Sequence, residues 1–357
     1  MTAWRPPASA APREGPVNEA DAPAKVNLTL AVLGGPHADG YHRLRGVSAR
    51  LSLVDDLAVR TTGSVPTRSG DMLRMRPGSA GVRSEDDLAL QAAEALRAWA
   101  ARPLPRLALA LRKRIPVGAG LGGGSSDAAT ALRLAVHAWG LAIGEDALTT
   151  IALGLGSDVP FFLGASPVAL VSGRGEAVEP LPAAGVAGTG VLLVSGEGKP
   201  STAEIFAAHD AQRRRAQRER ASPLAGGASR ARGRGAQRGC GGGSRGGVLD
   251  PTDRLVAFLR EDPSPAGLVD LAPLLRDAND LYPAAVRVIA GLTGLRERVE
   301  QVLGRPALFS GAGPTFFVLY PSPAEAREAL RALRAGLGAG RASVRPPRLI
   351  ASAIAAH

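Results

Sequence analysis

The chain is poor in cysteine, lysine and aromatic residues. Its one cysteine, Cys240, excludes an intramolecular disulfide and any multi-cysteine metal site, so we expect a reducing compartment, the cytoplasm. No apolar run approaches the roughly 18 residues that a membrane helix needs, and Met1–Asp21 lacks the apolar centre of a secretory signal. We therefore expect no membrane partner. Only Lys25, Lys113 and Lys199 are lysines among 43 basic residues, which makes each a candidate for a position that needs a compact charge.

The length of 357 residues and the hydrophobic fraction of 45% indicate two domains with a substantial core. We expect a disordered extension over residues 1–21 and an N-terminal domain over residues 22–185. A C-terminal domain is expected over residues 186–357, with a disordered basic insertion at about residues 210–248.

Most of the net charge of +11 lies in that insertion. Between Asp210 and Val248 ten arginines accompany only two acidic residues, among many glycines and almost no bulky apolar side chains. This composition predicts a flexible segment, although arginine–glycine segments can also bind RNA, which leaves a nucleic-acid-binding protein as an alternative. We favour no nucleic-acid partner, and we expect that deleting Gln212–Gly246 leaves kcat largely unchanged.

Hydrophobic periodicity predicts alternating strands and helices. Strands are predicted at Ala24–Leu33, Leu51–Arg60, Leu107–Arg112, Val191–Val194, Leu308–Phe309 and Thr315–Tyr320, with a hairpin at Ala169–Leu181 that turns on Ser172–Gly175. Helices are predicted at Asp86–Ala101, Ser125–Trp139, Leu268–Leu275, Pro283–Leu303 and Pro323–Leu337. The Ser and Asp residues that open the second of these helices are expected to cap its exposed N–H groups.

The segment Pro116–Ser126 (PVGAGLGGGSS) places five glycines and two serines between a predicted strand and a predicted helix. Backbone N–H groups of such a loop can surround a phosphate, and the positive end of the helix dipole favours an anion there. The loop also fits G-x-G-x-x-G, but the acidic residue of a dinucleotide site is misplaced, and a Walker A lysine is absent. A flexible glycine turn is the other alternative. We predict a nucleotide phosphate site, with Mg²⁺ brought in by the nucleotide and helped by Ser125 or Ser126, and no resident metal site.

Three separated segments carry a resemblance to a known family. They are Ala24–Leu28 (AKVNL) with Asp39–His42 (DGYH), the loop Pro116–Ser126, and Gly156–Phe162 (GSDVPFF). Together they resemble the GHMP kinase superfamily, and within it the members that phosphorylate a hydroxyl group of a cytidine diphosphate derivative. The resemblance implies an ATP-dependent kinase with an α+β fold, in which a ribosomal-S5-like N-terminal domain precedes a ferredoxin-like C-terminal domain. We expect a monomer or a weak homodimer.

The resemblance also assigns residues to the chemistry. Asp158 would be the general base at a turn among apolar neighbours, where partial desolvation favours proton uptake, and Lys25 would lie beside it as its electrostatic partner. The alternatives from the residues alone are a helix cap for Asp158 and a solvated strand-edge charge for Lys25. The implied ATP-binding residues are Pro116, Val117, Gly118, Ala119, Gly120, Leu121, Gly122, Gly123, Gly124, Ser125 and Ser126, with Lys113 and Asp87 near adenine.

Five further residues are implied to bind the cytidine diphosphate derivative. Tyr41 and Phe206 would stack on the two faces of cytosine, and His42 would hydrogen-bond the edge of the base. Asn27 would contact the substrate near the reacting hydroxyl, and Thr202 its polyol or phosphate end. The turn Ser310–Pro314 resembles the third glycine motif of the superfamily, which closes on the site; a simple hairpin is its alternative, and another small-molecule GHMP kinase is the alternative function.

Overall fold

The computed structural model describes residues 15–37, 40–67, 70–77, 87–198, 201–221, 250–338 and 347–356. Most of the expected extension, and the insertion from residue 222 onward, lie outside the described residues, as do Asp39, Asp86, Lys199 and Cys240. Among the residues that the structure describes, no helix has the length and apolarity to cross a membrane.

The N-terminal half is built on a seven-stranded sheet. Its strands are β1 (Asn18–Asn27), β2 (Ala31–Leu33), β3 (Arg43–Thr67), β4 (Met72–Met75), β5 (Leu104–Arg112), β6 (Val168–Gly173) and β7 (Ala177–Pro180). The long strand β3 pairs antiparallel with β1, β2, β5 and β6, whereas β4 pairs parallel with β5. β6 and β7 form the predicted hairpin.

In the described part of this half the α-helices are α1 (Leu88–Ala100), α2 (Gly123–Trp139), α3 (Glu145–Leu155) and α4 (Val159–Leu163). Alanines and leucines at helical spacing on α1 and α2, such as Leu96 and Leu132, pack against strand residues such as Leu109. The burial of these side chains holds α2, and the glycine loop before it, against the sheet.

The C-terminal half has a four-stranded antiparallel sheet with helices. The strands are β8 (Gly190–Ser195), β9 (Leu308–Phe309), β10 (Thr315–Tyr320) and β11 (Arg348–Ala353), in the order β11-β8-β10-β9. The helices are α5 (Thr202–Ala221), α6 (Pro251–Glu261), α7 (Pro265–Asp270), α8 (Ala272–Leu275), α9 (Tyr282–Val288), α10 (Leu292–Leu303) and α11 (Pro323–Gly338). The last strand of the first sheet ends at Pro180 and the first strand of the second sheet begins at Gly190, and the sequence places the domain boundary between these two residues.

The two halves share one hydrophobic cluster. Val26 and Val47 of the first sheet belong to the same buried cluster as Leu193 and Phe317 of the second. This shared core fixes the two sheets relative to each other, and so fixes the cleft between them in which the candidate site lies.

Four predicted boundaries are wrong in detail. β1 begins at Asn18, within the expected disordered extension, because Asn18 to Asp21 pair with β3. The strand predicted at Ala24–Leu33 is broken between β1 and β2. The helix predicted at Leu268–Leu275 is divided into α7 and α8, and that at Pro283–Leu303 into α9 and α10, where Gly291 adopts a φ of 73°.

Candidate active site

The glycine loop leads directly into α2, whose first N–H groups are unused. Gly122 has a φ of 68° and precedes the helix without any side-chain cap. The first intrahelical bond runs from the N–H of Ser126 to the carbonyl of Gly122 at 2.9 Å, so the N–H groups of residues 123–125 come before it. The capping predicted for the Ser and Asp of this helix is therefore wrong, since Ser126 and Asp127 are fully buried within α2.

A cavity of about 940 Å³ lies over this loop, between the two halves of the chain. The structure brings to it all the residues predicted for the site except Ser126: Lys25, Asn27, Tyr41, His42, Asp87, Lys113, Pro116, Val117, Gly118, Ala119, Gly120, Leu121, Gly122, Gly123, Gly124, Ser125, Asp158, Thr202 and Phe206. Ser126 does not line the cavity: its hydroxyl is buried in α2 without a hydrogen-bond partner, and its N–H donates to the carbonyl of Gly122.

Lys25 and Asp158 meet in this cavity. Nζ of Lys25 lies 3.2 Å from Oδ2 of Asp158 and donates to Oδ1 of Asn27 at 2.6 Å. Lys25 and Asn27 are two residues apart on β1, so their side chains lie on the same face of the strand. Nδ2 of Asn27 donates to the hydroxyl of Ser48 at 3.1 Å, which orients the amide toward the lysine.

Asp158 stands at the first position before α4, yet its side chain makes no capping hydrogen bond. The carboxylate instead points toward Lys25. Its side chain is 43% exposed, and the Val159 side chain after it is buried. The lysine, in contrast, is only 4% exposed, and the pair places a buried ammonium beside an accessible carboxylate.

Lys113 lies between two buried carboxylates behind the glycine loop. Its Nζ lies 2.5 Å from Oδ2 of Asp55 and also hydrogen-bonds Asp127. Burial opposes the charge of Lys113, but the carboxylates of Asp127 and Asp55 raise its pKa above the ordinary value. Burial likewise raises the pKa of Asp127 to about 8, against the attraction of Lys113. The ammonium group of Lys113, for which an adenine contact is predicted, is thus engaged by two carboxylates behind the loop.

Asp55 connects this ion cluster to the backbone. Its Oδ1 accepts hydrogen bonds from the N–H groups of Arg114 and Ile115, the latter at 2.8 Å. These two residues join β5 to the glycine loop, so Asp55 fixes the point at which the loop leaves the sheet. Asp87, the other acid here, caps α1 by accepting from the N–H of Ala89 at 2.9 Å, and burial raises its pKa.

The aromatic residues are arranged differently from the predicted cytosine sandwich. His42, not Tyr41, stacks on Phe206, with ring centroids 4.7 Å apart and an interplanar angle of 26°. Nε2 of His42 lies 2.8 Å from Oδ1 of Asp210. Tyr41 instead lies under the guanidinium of Arg174, whose Cζ is 3.6 Å from the ring centroid.

Asp210 and Arg174 are cavity residues that the sequence reasoning missed. Asp210 was assigned to the flexible insertion, but α5 continues to Ala221, so the predicted start of the insertion is wrong by at least eleven residues. Arg174 lies in the predicted hairpin turn Ser172–Gly175, to which the sequence assigns no binding role. That turn packs against the loop of Asp158: Gly175 has a φ of 128°, and a Cβ there would lie 1.9 Å from the carbonyl oxygen of Ser157.

The turn Ser310–Pro314 closes on the glycine loop, as its resemblance implies. The hydroxyl of Ser310 donates to the carbonyl of Gly120 at 3.2 Å. Gly120 has a φ of 77°, and a Cβ there would lie 2.5 Å from the carbonyl oxygen of Ser310 and 2.7 Å from the nitrogen of Gly313. The backbones of the two halves therefore touch directly at the glycine loop.

Ser125 is the serine that fits a magnesium nucleotide. It lines the cavity in the first turn of α2, and its Oγ faces Gly156, 3.8 Å from where a Cβ of that glycine would stand. A hydroxyl oxygen beside the unused N–H groups at the start of α2 is a ligand that suits Mg²⁺, which prefers oxygen ligands.

The fold is that of a GHMP kinase. The family model of the GHMP kinases N terminal domain matches residues 87–165, and that of the GHMP kinases C terminal domain matches residues 267–339. The crystal structure of a mevalonate kinase from Methanococcus jannaschii superposes with a TM-score of 0.56 at 13% identity, covering 98% of this chain and 99% of that one. At this identity the likeness shows the fold alone.

Proteins with higher sequence identity to this chain identify its family within the GHMP kinases. The chain is 36% identical over 330 residues to a 4-diphosphocytidyl-2-C-methyl-D-erythritol kinase from Granulibacter bethesdensis, covering 90% of this chain and 92% of that protein. A kinase of the same name from Salinispora tropica is also 36% identical, with coverages of 91% and 90%. A crystal structure of a 4-(cytidine 5'-diphospho)-2C-methyl-D-erythritol kinase superposes with a TM-score of 0.61 at 30% identity, covering 94% of this chain and 98% of that one. The chain belongs to this kinase family.

Proposed function

We propose that the protein transfers the γ-phosphoryl group of ATP to the 2-hydroxyl of 4-diphosphocytidyl-2-C-methyl-D-erythritol, in the non-mevalonate pathway of isoprenoid synthesis. The observation that carries this proposal is the placement of Lys25 Nζ 3.2 Å from Asp158 Oδ2 in the cavity that the N-terminus of α2 opens into. A base, a cation and phosphate-binding N–H groups thus line one cleft, as in-line phosphoryl transfer requires.

Asp158 is the group that accepts the proton of the attacking hydroxyl. Its carboxylate caps no helix and is accessible from the cavity, so a hydroxyl can approach within hydrogen-bonding distance. Lys25 stabilises the negative charge that develops on the attacking oxygen, because its buried ammonium is weakly screened by water. Asn27 holds that ammonium from the other side.

The N–H groups of residues 123–125 bind phosphate oxygens of ATP, since they lack intrahelical partners and lie at the positive end of α2. Mg²⁺, held with the help of the Ser125 hydroxyl, would supply positive charge to the phosphates when it is bound. Asp55 and Lys113 keep the loop in place from behind.

The cytosine end is held by the loop of Tyr41 and His42 together with α5. If Nε2 of His42 donates its proton to the carboxylate of Asp210, Nδ1 is left as an acceptor that can receive the exocyclic amino group of cytosine. A cytosine that stacks on the face of Phe206 now covered by His42 displaces the His42 ring from the place it occupies in this structure.

The test is phosphorylation of the cytidyl substrate by the wild type and by Asp158→Asn, with mevalonate and homoserine as competing acceptors. We expect turnover of the cytidyl substrate alone, and a fall in kcat on the order of 10²- to 10⁴-fold in the variant because the base is lost. Asp146→Asn, an exposed acid of the first turn of α3, is the matched control and retains full activity. Turnover of another acceptor, or an active Asp158→Asn, contradicts the proposal.

A further inference from the structure

Arg174 is a charged cavity residue that forms no ion pair among the described residues. Among the described residues, the basic side chains that line the cavity are Lys25, His42, Lys113 and Arg174. The first three each lie against a carboxylate. Nε of Arg174, in contrast, is buried without a hydrogen-bond partner. The cavity therefore holds one guanidinium whose charge is not matched by an acid of the described chain.

The acid nearest to Arg174 in sequence, Glu176, is already engaged. Its Oε2 accepts a hydrogen bond from the backbone N–H of Arg174 at 2.6 Å. Its Oε1 lies 3.6 Å from a guanidinium nitrogen of Arg43. The carboxylate of Glu176 thus fixes the backbone of the turn, and the Arg174 guanidinium has no acidic partner among the residues that the structure describes.

The position of Arg174 lies between the two ends of the proposed substrate site. Its turn packs through Gly175 on Ser157, the residue before Asp158. Its guanidinium covers the ring of Tyr41, which is next to His42. One side of Arg174 therefore adjoins the phosphoryl-transfer centre, and the other side adjoins the aromatic residues.

Stacking on Tyr41 orients the guanidinium. A planar guanidinium above an aromatic face is attracted by the ring and keeps its N–H edge free for other acceptors. Two parallel N–H groups of that edge match two oxygens of a phosphate, and such charge-assisted pairs are among the strongest hydrogen bonds in proteins.

We propose that Arg174 binds the diphosphate group of the cytidyl substrate. This inference rests on the proposed function, because that substrate carries a diphosphate between its cytidine and its polyol, just as Arg174 lies between the aromatic residues and Asp158. The diphosphate supplies the negative charge that the cavity lacks beside this guanidinium. Arg174 is therefore a residue of substrate binding and of selectivity for a nucleoside diphosphate over a nucleoside.

The test compares CDP with cytidine by isothermal titration calorimetry. We expect Arg174→Gln to weaken CDP binding on the order of 10- to 100-fold, as loss of a charged hydrogen-bond partner does, and to change cytidine binding less than about threefold. Arg174→Lys keeps the charge but loses the planar fork, so it recovers part of the CDP affinity. Steady-state kinetics are expected to show a raised KM for the cytidyl substrate with kcat little changed.

Arg305→Gln is the matched control, because Arg305 also lies over a tyrosine, Tyr320, at 5.0 Å from the ring centroid but outside the cavity. Thermal unfolding of each variant shows whether it is folded. Equal losses for CDP and cytidine in Arg174→Gln would mean that Arg174 only braces Tyr41, and unchanged CDP binding would also overturn the inference. Calorimetry needs no catalysis: a wild type that binds CDP through Arg174 but does not phosphorylate the cytidyl substrate contradicts the proposed function alone.

Discussion

Oδ1 of Asp210 lies 2.8 Å from Nε2 of His42, and this pair joins the residue before β3 to the middle of α5. The contact spans 168 positions of the chain and is part-buried. It fixes which nitrogen of His42 faces the carboxylate and which is left for a ligand. Asp210 is thus placed to orient His42.

Replacing this carboxylate should weaken substrate binding. A carboxylate at position 210 only accepts, so it favours the His42 tautomer with its proton on Nε2, whereas the amide of Asp210→Asn can donate or accept and favours neither tautomer. We therefore expect KM for the cytidyl substrate to rise about tenfold, near 1.4 kcal/mol, and kcat to stay within about threefold of the wild type. Steady-state kinetics measure both constants. Glu219→Gln, on the exposed side of the same helix, is expected to behave as the wild type. An unchanged KM in Asp210→Asn would show that the pair is structural only.

The buried cluster behind the phosphate loop should make stability depend on pH. Burial raises the pKa of Asp127 from 3.8 to about 8 in the folded protein, so the folded state binds more protons than the unfolded state between these values. The contribution of Asp127 to the free energy of unfolding therefore falls as pH rises from about 4 to 8.

The amide of the variant Asp127→Asn cannot ionise, so its free energy of unfolding does not carry this pH dependence. We expect the free energy of unfolding of Asp127→Asn, relative to that of the wild type, to be higher at pH 8 than at pH 5 by on the order of 1 kcal/mol or more. Urea unfolding at the two pH values measures the difference. Asp146→Asn serves as the exposed control and should show no such change. The same stability difference at both pH values would mean that Asp127 is ionised throughout the range.

The contact between the two halves at Gly120 should be intolerant of a side chain. Gly120→Ala places a methyl group 2.5 Å from the carbonyl oxygen of Ser310 at a φ of 77°, so the loop or the turn must move. We expect a loss of about 1–3 kcal/mol of stability and a raised KM for ATP. Gly144→Ala, where a Cβ meets nothing within 4 Å and φ is −75°, is the control. A Gly120→Ala protein with wild-type KM and stability would contradict the contact.

The structure changes the expectation for deleting the basic segment. Gln212 donates through Nε2 to the carbonyl of Pro283 at 2.9 Å, so α5 is anchored to α9 beyond Asp210. We expect replacement of residues 222–249 by a short Gly-Ser linker to keep kcat within about threefold. Deletion of Gln212–Gly246 removes the Gln212 hydrogen bond as well, and we expect it to lower kcat, since a tenfold loss corresponds to only about 1.4 kcal/mol. Equal activities of the two deletions would show that this end of α5 is dispensable.

Sequence periodicity predicted most of the elements, because apolar residues of strands and helices follow the spacing of the faces they bury. It placed α2, the β6–β7 hairpin and the β9–β10 turn within a few residues. Element ends were less predictable: pairing with β3 extends β1 to Asn18, and such pairing depends on residues far along the chain. At α5 the arginine-rich composition predicts a flexible segment, whereas the helix continues to Ala221.

The site was predictable where one local segment carries the chemistry, and less so where distant segments meet. The glycine loop and the turn of Asp158 can each be identified from the residues of one short segment. No local pattern, however, shows that Lys113 lies between Asp55 and Asp127, or that Arg174 covers Tyr41. These contacts depend on how the strands and helices pack, which spacing alone does not encode.

The scarcity of lysine gives the cavity a distinct chemical signature. Two of the three lysines of the chain, Lys25 and Lys113, line it, and each is less than a tenth exposed. An acyl-phosphate derivative of ATP, which transfers a tag to an amine near the bound nucleotide, would thus find its targets within the cleft and few competing side-chain amines elsewhere. In the purified protein, mass spectrometry of the tagged peptides would read nucleotide occupancy against a background of one other lysine, Lys199.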